Sequence, residues 1–207
     1  PAARDAIHAI ELARRYGCQV VAADPVAIHL DLAKQRLLGY YRGRDWPTWT
    51  FDPSEHDQSR DPGFNTGPAD YVLTHMFDRF GREAHVGDDI DWTFNGFDPA
   101  EPAFTPEWTY QLNRFENWRI LGRAWWATGD AKYAEEFIAQ MLDWIADNPM
   151  PVFGNPNQAP TWRTIEQGIR TAGSWMDAYY YFLFAPQMTP EAHATFLKSW
   201  VEHGRTL

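Results

Sequence analysis

Arg163, Glu166 and Arg170 stand at i, i+3 and i+7 within the stretch WRTIEQGIRTAGSW. On a helix these three side chains share one flank. An Arg–Glu–Arg ladder can aim guanidinium forks at a carboxylate or sulfate, because the planar fork pairs with two oxygens of such an anion. A structural ion-pair ladder has the same spacing and needs no ligand. Upstream, Asn113 and Arg114 open another helical stretch, and Trp118 lies four residues beyond Arg114. Its indole can stack on that guanidinium or on a sugar face. An Asn or Arg that ties loop backbone to the helix is the alternative reading of the pair. Trp162 directly precedes Arg163. Stacking surfaces beside fixed polar forks are what gripping an acidic sugar chain requires, so carbohydrate is the first substrate class to consider.

Other chemistries find less support. The seven histidines, at 8, 29, 56, 75, 85, 193 and 203, are scattered, with no HExxH and no close Cys/His set, so no metal site is expected. His85 with Asp88, Asp89 and Asp91 lacks the alternating ligands, central Gly and terminal Glu of a calcium loop, and reads as a solvated acidic loop. Neither GxSxG nor a phosphate-cradling glycine loop occurs, and no cofactor is expected. Glu55, Asp57, Asp61, Asp88 and Asp91 can pair as the carboxylates of a glycoside hydrolase, although acidic pairs in loops are common.

The chain has 207 residues, long enough to bury a substantial core. With 44% apolar and 22% charged residues it is a globular composition. Aromatics reach 16%, with 11 Trp, a surplus that suggests a ligand-facing surface, while a Trp-rich helical core explains any single one. The formal net charge of −10 excludes nucleic acid as the expected partner, yet a local arginine cluster can still bind an acidic polysaccharide. Cys18 is the single cysteine, so no internal disulfide can form. No apolar run of about 18 residues exists to span a membrane.

The elements that must position these residues are helical. Apolar spacing predicts helices over about 4–16 and, after Asp24-Pro25, to about Tyr41. Residues 44–67 read as loop. Pro68 opens a short helix carrying Tyr71, His75 and Phe80 that stops at Gly81, and 82–106 reads as loop with one short extended piece around 89–94. A first strong helix carries Trp108, Leu112, Phe115, Trp118, Leu121 and Trp125. Thr128-Gly129-Asp130 is a tight turn, with Gly as C-cap and Asp as the next N-cap. The second helix turns Ala134, Phe137, Ile138, Met141, Leu142 and Ile145 inward and ends at Asn148-Pro149; the loop after it runs to 160. The third places Trp162, Ile165, Ile169, Ala172, Trp175, Tyr179 and Leu183 on its buried stripe. The fourth, from Thr189-Pro190-Glu191, turns Phe196, Leu197, Trp200 and Val201 inward. Antiparallel helices joined by short turns make an all-α hairpin stack, bundle or toroid.

LNRFENW, TGDAKYAEEF, QMLDWIADNP and WRTIEQGIR followed by Trp175, with the upstream FNGFDPAEPAF segment, resemble the N-terminal helical region of the heparinase II/III-like polysaccharide lyases, nearest the heparinase III type. The resemblance covers about residues 70–207; 1–69 match less clearly. It implies an all-α region of antiparallel helical hairpins forming part of an incomplete (α/α) toroid. Residues 1–67 would be N-terminal helices and loop, and 68–207 the start of the toroid, truncated before its end and without the family's downstream β-sandwich. It implies β-elimination on uronate-containing, heparan sulfate-like glycans, carried by an Asn, a Tyr and a His. Those three come later in the family than the WRTIEQGIR helix and are expected beyond Leu207. Tyr179, Tyr180, Tyr181 and His203 have suitable side chains in the wrong motif context, and residues 1–207 alone are expected to lack lyase activity. The substrate-binding candidates are Asn113, Arg114, Trp118, Trp162, Arg163, Glu166 and Arg170. The resemblance favours a periplasmic or secreted location. A non-catalytic carbohydrate-binding or scaffold domain, and a glycoside hydrolase on an (α/α) barrel, remain the alternatives.

Overall fold

A computed structural model describes residues 60–151 and 159–206. The helices expected over 4–16 and 24–41, most of the first proposed segment, and Glu55 and Asp57 lie outside the described residues. Within them the chain is mostly helical: α1 (Gly67–Val72), α2 (Glu107–Leu112), α3 (Glu116–Thr128), α4 (Ala131–Asp147), α5 (Thr164–Ala172), α6 (Ser174–Phe182) and α7 (Pro190–Thr206), plus strands β1 (Met76–Arg79) and β2 (Arg82–His85). No described helix is long and apolar enough to cross a membrane.

The helix expected to run from Pro68 to Gly81 is corrected to one short helix and a hairpin. Pro68 opens α1 as anticipated. His75 then adopts φ 52°, which ends any helical path, and β1 pairs antiparallel with β2 in the register Met76↔His85 to Arg79↔Arg82. The two linking residues, Phe80 and Gly81, both have positive φ, 57° and 70°. That is the backbone of a two-residue hairpin turn, whose twist matches the flanking strands. His75 fastens the hairpin: Nδ1 lies 2.7 Å from the Gly87 carbonyl and Nε2 2.9 Å from Glu136 Oε1 on α4. The extended piece expected at 89–94 is a run of turns instead. Asp91 Oδ1 accepts from Thr93 N, and buried Trp92 donates to Asp143 Oδ2 at 2.7 Å.

The first strong helix is two helices. Its expected stripe is buried, but the chain breaks at Asn113, and Phe115 sits in left-handed backbone at φ 58° and ψ 32°. Asn113 Nδ2 donates to the carbonyls of Thr109 and Trp92, both at 2.9 Å. Such local side-chain bonds compete with helix continuation. Phe115 is thereby stacked on Trp118, ring centroids 4.1 Å apart. The turn to α4 forms as expected: Gly129 caps α3 at φ 73° and Asp130 accepts from Lys132 N. On α4 the inward face includes Tyr133, Gln140 and Trp144 beside Ala134, Phe137 and Met141, while Leu142 is exposed and Ile138 and Ile145 are half-buried.

The third helix is also two, broken at Gly173, and its first half is turned over. Glu166, Gln167 and Arg170 are buried; Ile165 is 59% and Ile169 40% exposed, and Ala172 faces out. The second half keeps the expected stripe through Trp175, Tyr179 and Leu183. On α7 the inward residues are Ala192, His193, Phe196, Ser199 and His203, with Leu197 and Trp200 half-buried and Val201 exposed.

α3 packs between α4 and α6, and α7 closes against α4 and α5. The core between them is aromatic. Trp118 lies 5.6 Å from Trp175 and 5.2 Å from Phe137, and Phe137 stacks on Phe182 at 4.3 Å. Rings this close contribute beyond the area they bury. α3 meets α6 at Gly122, where a β-carbon would lie 2.5 Å from the Tyr181 ring. Gly122→Ala therefore forces the two helices apart; we expect a loss of about 1–3 kcal/mol, read as a lower urea midpoint with an unchanged slope.

Candidate functional site

Four charged side chains alternate around one patch. Glu107 sits in the first turn of α2, Arg114 in the break before α3, and Arg163 and Glu166 at the start of α5. Arg114 Nη2 donates to Glu166 Oε1 at 2.9 Å and to Glu107 Oε2 at 3.1 Å. Arg163 Nε lies 3.5 Å from Glu166 Oε2, and its Nη1 lies 3.9 Å from Glu107 Oε1. Its guanidinium also rests on the Tyr110 ring, 3.7 Å from the centroid. The Arg114 backbone is fixed in turn, its carbonyl accepting from the Ser174 hydroxyl of α6. Exposure divides the four: Glu166 is fully buried, Arg114 and Arg163 are about one-fifth exposed at the side chain, and Glu107 is 42% exposed.

Beneath the patch lies Arg170, fully buried. Nη1 donates to the Thr161 carbonyl at 2.6 Å and Nε to His203 Nε2 at 2.8 Å. The guanidinium carbon is 4.5 Å from the Trp144 ring and 5.5 Å from Trp162. Aromatic faces stabilise a desolvated cation here. His203 Nδ1 donates to the Ser199 carbonyl at 2.7 Å, which leaves Nε2 as an acceptor and the imidazole neutral. Burial, and then the Arg170 cation, push His203 down to about 3. Burial also lowers Arg170 from its ordinary value, and Glu166 pulls it back. Arg114, Arg163 and Arg170 against Glu107 and Glu166 make three positive and two negative charges, a net of +1 in a chain of net −10.

The seven candidates divide by depth. Asn113 is buried, its Oδ1 accepting from Trp144 Nε1 at 2.9 Å. Trp118 is buried and donates to Gln140 Oε1, and Trp162 is buried and donates to the Asn148 carbonyl. Glu166 and Arg170 are buried; Arg114 and Arg163 reach solvent. The tryptophan surplus goes to the core: among the described residues only Trp200 is not buried. The fold brings Arg114, Arg163 and Glu166 together, with Arg170 below. Glu107 and Tyr110 were missed, and the only signal for Glu107 was its place two helical turns before Arg114.

The other candidates take structural places. Tyr179 is buried with its hydroxyl 3.0 Å from His193 Nδ1. Asp61 caps Gly63 N, Asp91 caps Thr93 N, and Asp88 is solvent-exposed. Among the described residues one trio, Asp89, Asp143 and Asp147, brings carboxylate oxygens within 4.8 Å of one another. Burial raises Asp143 and the Trp92 N–H opposes that.

The Heparinase II/III N-terminus family model matches residues 8–207. The heparin-sulfate lyase of Pedobacter heparinus is 27% identical over 202 residues, which cover 89% of this chain and 28% of that protein. That of Bacteroides stercoris is 28% identical over 155 residues, 65% of this chain and 22% of the other. Among solved structures, the heparan sulfate lyase HepC of Pedobacter heparinus aligns with a TM-score of 0.63 at 24% identity, over 97% of this chain and 30% of that one. A heparinase III structure aligns with a TM-score of 0.66 at 24% identity, over 97% and 31%. The structural likeness is one of fold, and the chain spans less than a third of the length of these relatives.

His203 gives the buried site a pH signature. Its folded value lies below its ordinary 6.5, so the unfolded chain binds the extra proton between the two. Stability from this group is complete above pH 6.5 and is lost as pH falls from 6.5 toward 3, by up to about 1.4 kcal/mol per unit. We expect His203→Gln to have a shallower urea-midpoint profile than wild type across that window; parallel profiles would contradict the neutral buried imidazole.

Proposed function

This chain belongs to the heparinase II/III N-terminal family, and on that premise we propose that it is the N-terminal helical part of a polysaccharide lyase. The reading extends the helices from residue 68 into an (α/α) toroid. The substrate is a uronate-containing glycan of the heparan sulfate kind, cleaved by β-elimination. In that reaction the uronate carboxylate is neutralised, a base removes the C5 proton, and the C4 oxygen is protonated as it leaves. The residues that move those protons belong to the whole enzyme.

The observation that carries this reading is the fork of Arg114 and Arg163, each about one-fifth exposed, beside Tyr110. Two guanidinium groups, oriented by one buried carboxylate, suit an acidic sugar, and the Tyr110 ring holds Arg163 flat. Arg114 and Arg163 contact the glycan in this proposal. Asn113, Trp118, Trp162, Glu166 and Arg170 position them from below. The +1 local charge within an acidic chain draws an anionic ligand to this face.

The test separates contact from support. Isothermal calorimetry of the chain with a heparan sulfate tetrasaccharide should show Arg163→Ala weakening binding about tenfold, the cost of one charge-assisted contact, with little change in melting temperature. Arg170→Ala should instead lower the melting temperature strongly, because it empties a buried aromatic cage. Arg163→Ala that binds as wild type would rule out the fork as the glycan site.

A further inference from the structure

We propose that Glu107 is an internal occupant of the anion fork, holding the place that a uronate carboxylate takes when the glycan binds. The inference rests on the fork being the glycan site, and adds a residue that tunes affinity and selects the ligand group. The two carboxylates of the patch are not equivalent. Glu166 is fully buried and bridges Arg114 and Arg163 from below. It cannot leave without stranding both cations, so it is their permanent counter-ion. Glu107 bridges the same two arginines from the solvent side, with Oε2 3.1 Å from Arg114 Nη2 and Oε1 3.9 Å from Arg163 Nη1. Its side chain is 42% exposed, and its two contacts are longer and looser than the 2.9 Å bond from Arg114 to Glu166.

One planar carboxylate with an oxygen for each of two guanidinium groups is the geometry a uronate would adopt there. While Glu107 is in place, Arg114 spends a hydrogen bond on it, and Arg163 Nη1 faces it at 3.9 Å, an ion-pair distance without a hydrogen bond. The four side chains, two positive and two negative, then form a neutral ring. An incoming carboxylate must displace Glu107, which turns on its side-chain torsions into water. The exchange trades one exposed ion pair for another, so Glu107 lowers affinity and rejects ligands that bring no anion of their own. Arg114 Nε, buried without a hydrogen-bond partner, shows that this guanidinium is not saturated by its two glutamates.

The experiment uses the 207-residue chain, a heparan sulfate-derived tetrasaccharide and its carboxyl-reduced counterpart, with wild type, Glu107→Gln, Glu107→Ala and Arg163→Ala compared by calorimetry. Both Glu107 variants should bind the native tetrasaccharide about threefold to tenfold more tightly than wild type, in keeping with removing one exposed like charge. The gain should vanish with the carboxyl-reduced sugar. Melting temperatures identify any variant that is not folded, and either folded Glu107 variant suffices. Equal or weaker binding by the Glu107 variants, with Arg163→Ala still weakened, overturns the displacement proposal and leaves the glycan site standing. An equal gain with the reduced sugar overturns it in favour of sulfate as the competing group. Unchanged binding in Arg163→Ala, or no binding by any variant, overturns the site and this proposal together.

Discussion

A guanidinium taken wholly out of water costs several kcal/mol unless its donors are matched and its charge is met. Arg170 meets most of that condition, in three ways at once, with only Nη2 left buried without a hydrogen-bond partner. Two of its nitrogens donate, to the Thr161 carbonyl and to His203, and Trp144 and Trp162 present ring faces to the charge. Glu166, one turn earlier on α5, supplies the nearest opposite charge. The condition dictates the orientation of α5. Once Arg170 points inward, Glu166 must share its face, and Ile165 and Ile169 are left outside. The surface fork follows from the buried cation, because Glu166 in its inward place is what holds Arg114 and Arg163.

The same demand for matched donors runs through the aromatic core. Four large indoles near the site have their N–H spent on a defined acceptor: Trp144 on Asn113, Trp118 on Gln140, Trp162 on the Asn148 carbonyl, Trp108 on the Arg82 carbonyl, while buried Trp175 Nε1 has no hydrogen-bond partner. Those acceptors sit on different elements, so each bond fixes a pair of elements in register as well as satisfying a ring. Asn113 joins the 88–106 segment, the end of α2 and α4 through one amide. It thereby sets where the chain breaks and where Arg114 emerges. The tryptophans that looked like sugar platforms are the scaffold under the polar groups.

Helix existence from Glu107 onward was legible because apolar residues recur at three- and four-residue steps, and because Gly129-Asp130 is an unambiguous stop and start. The β-hairpin was not. Its turn uses Phe80 at positive φ where Asn or Asp is the usual signal, and four-residue strands are too short to display a period. The break at Phe115 carries no compositional mark, since it is imposed by Asn113 bonding to backbone outside its helix. On α5 the periodicity was present and its sense was misread. Hydrophobicity alone places isoleucine inside, and only the tertiary cage around Arg170 reverses it. For the site, helical spacing brought Arg163 and Glu166 to one flank, and Arg114 was recognisable as a neighbouring cation. Glu107 and Tyr110 join through packing between α2 and α5, which no local pattern encodes.

Arg114 occupies the joint where the chain leaves α2 and enters α3, its carbonyl tied to α6 and its side chain to α2 and α5. Four helices therefore converge on a single residue that also reaches solvent. Whatever rearranges its outer contacts is mechanically connected to how those helices lean on one another. Recognition at the rim and rigidity of the bundle are consequently two readings of the same free energy.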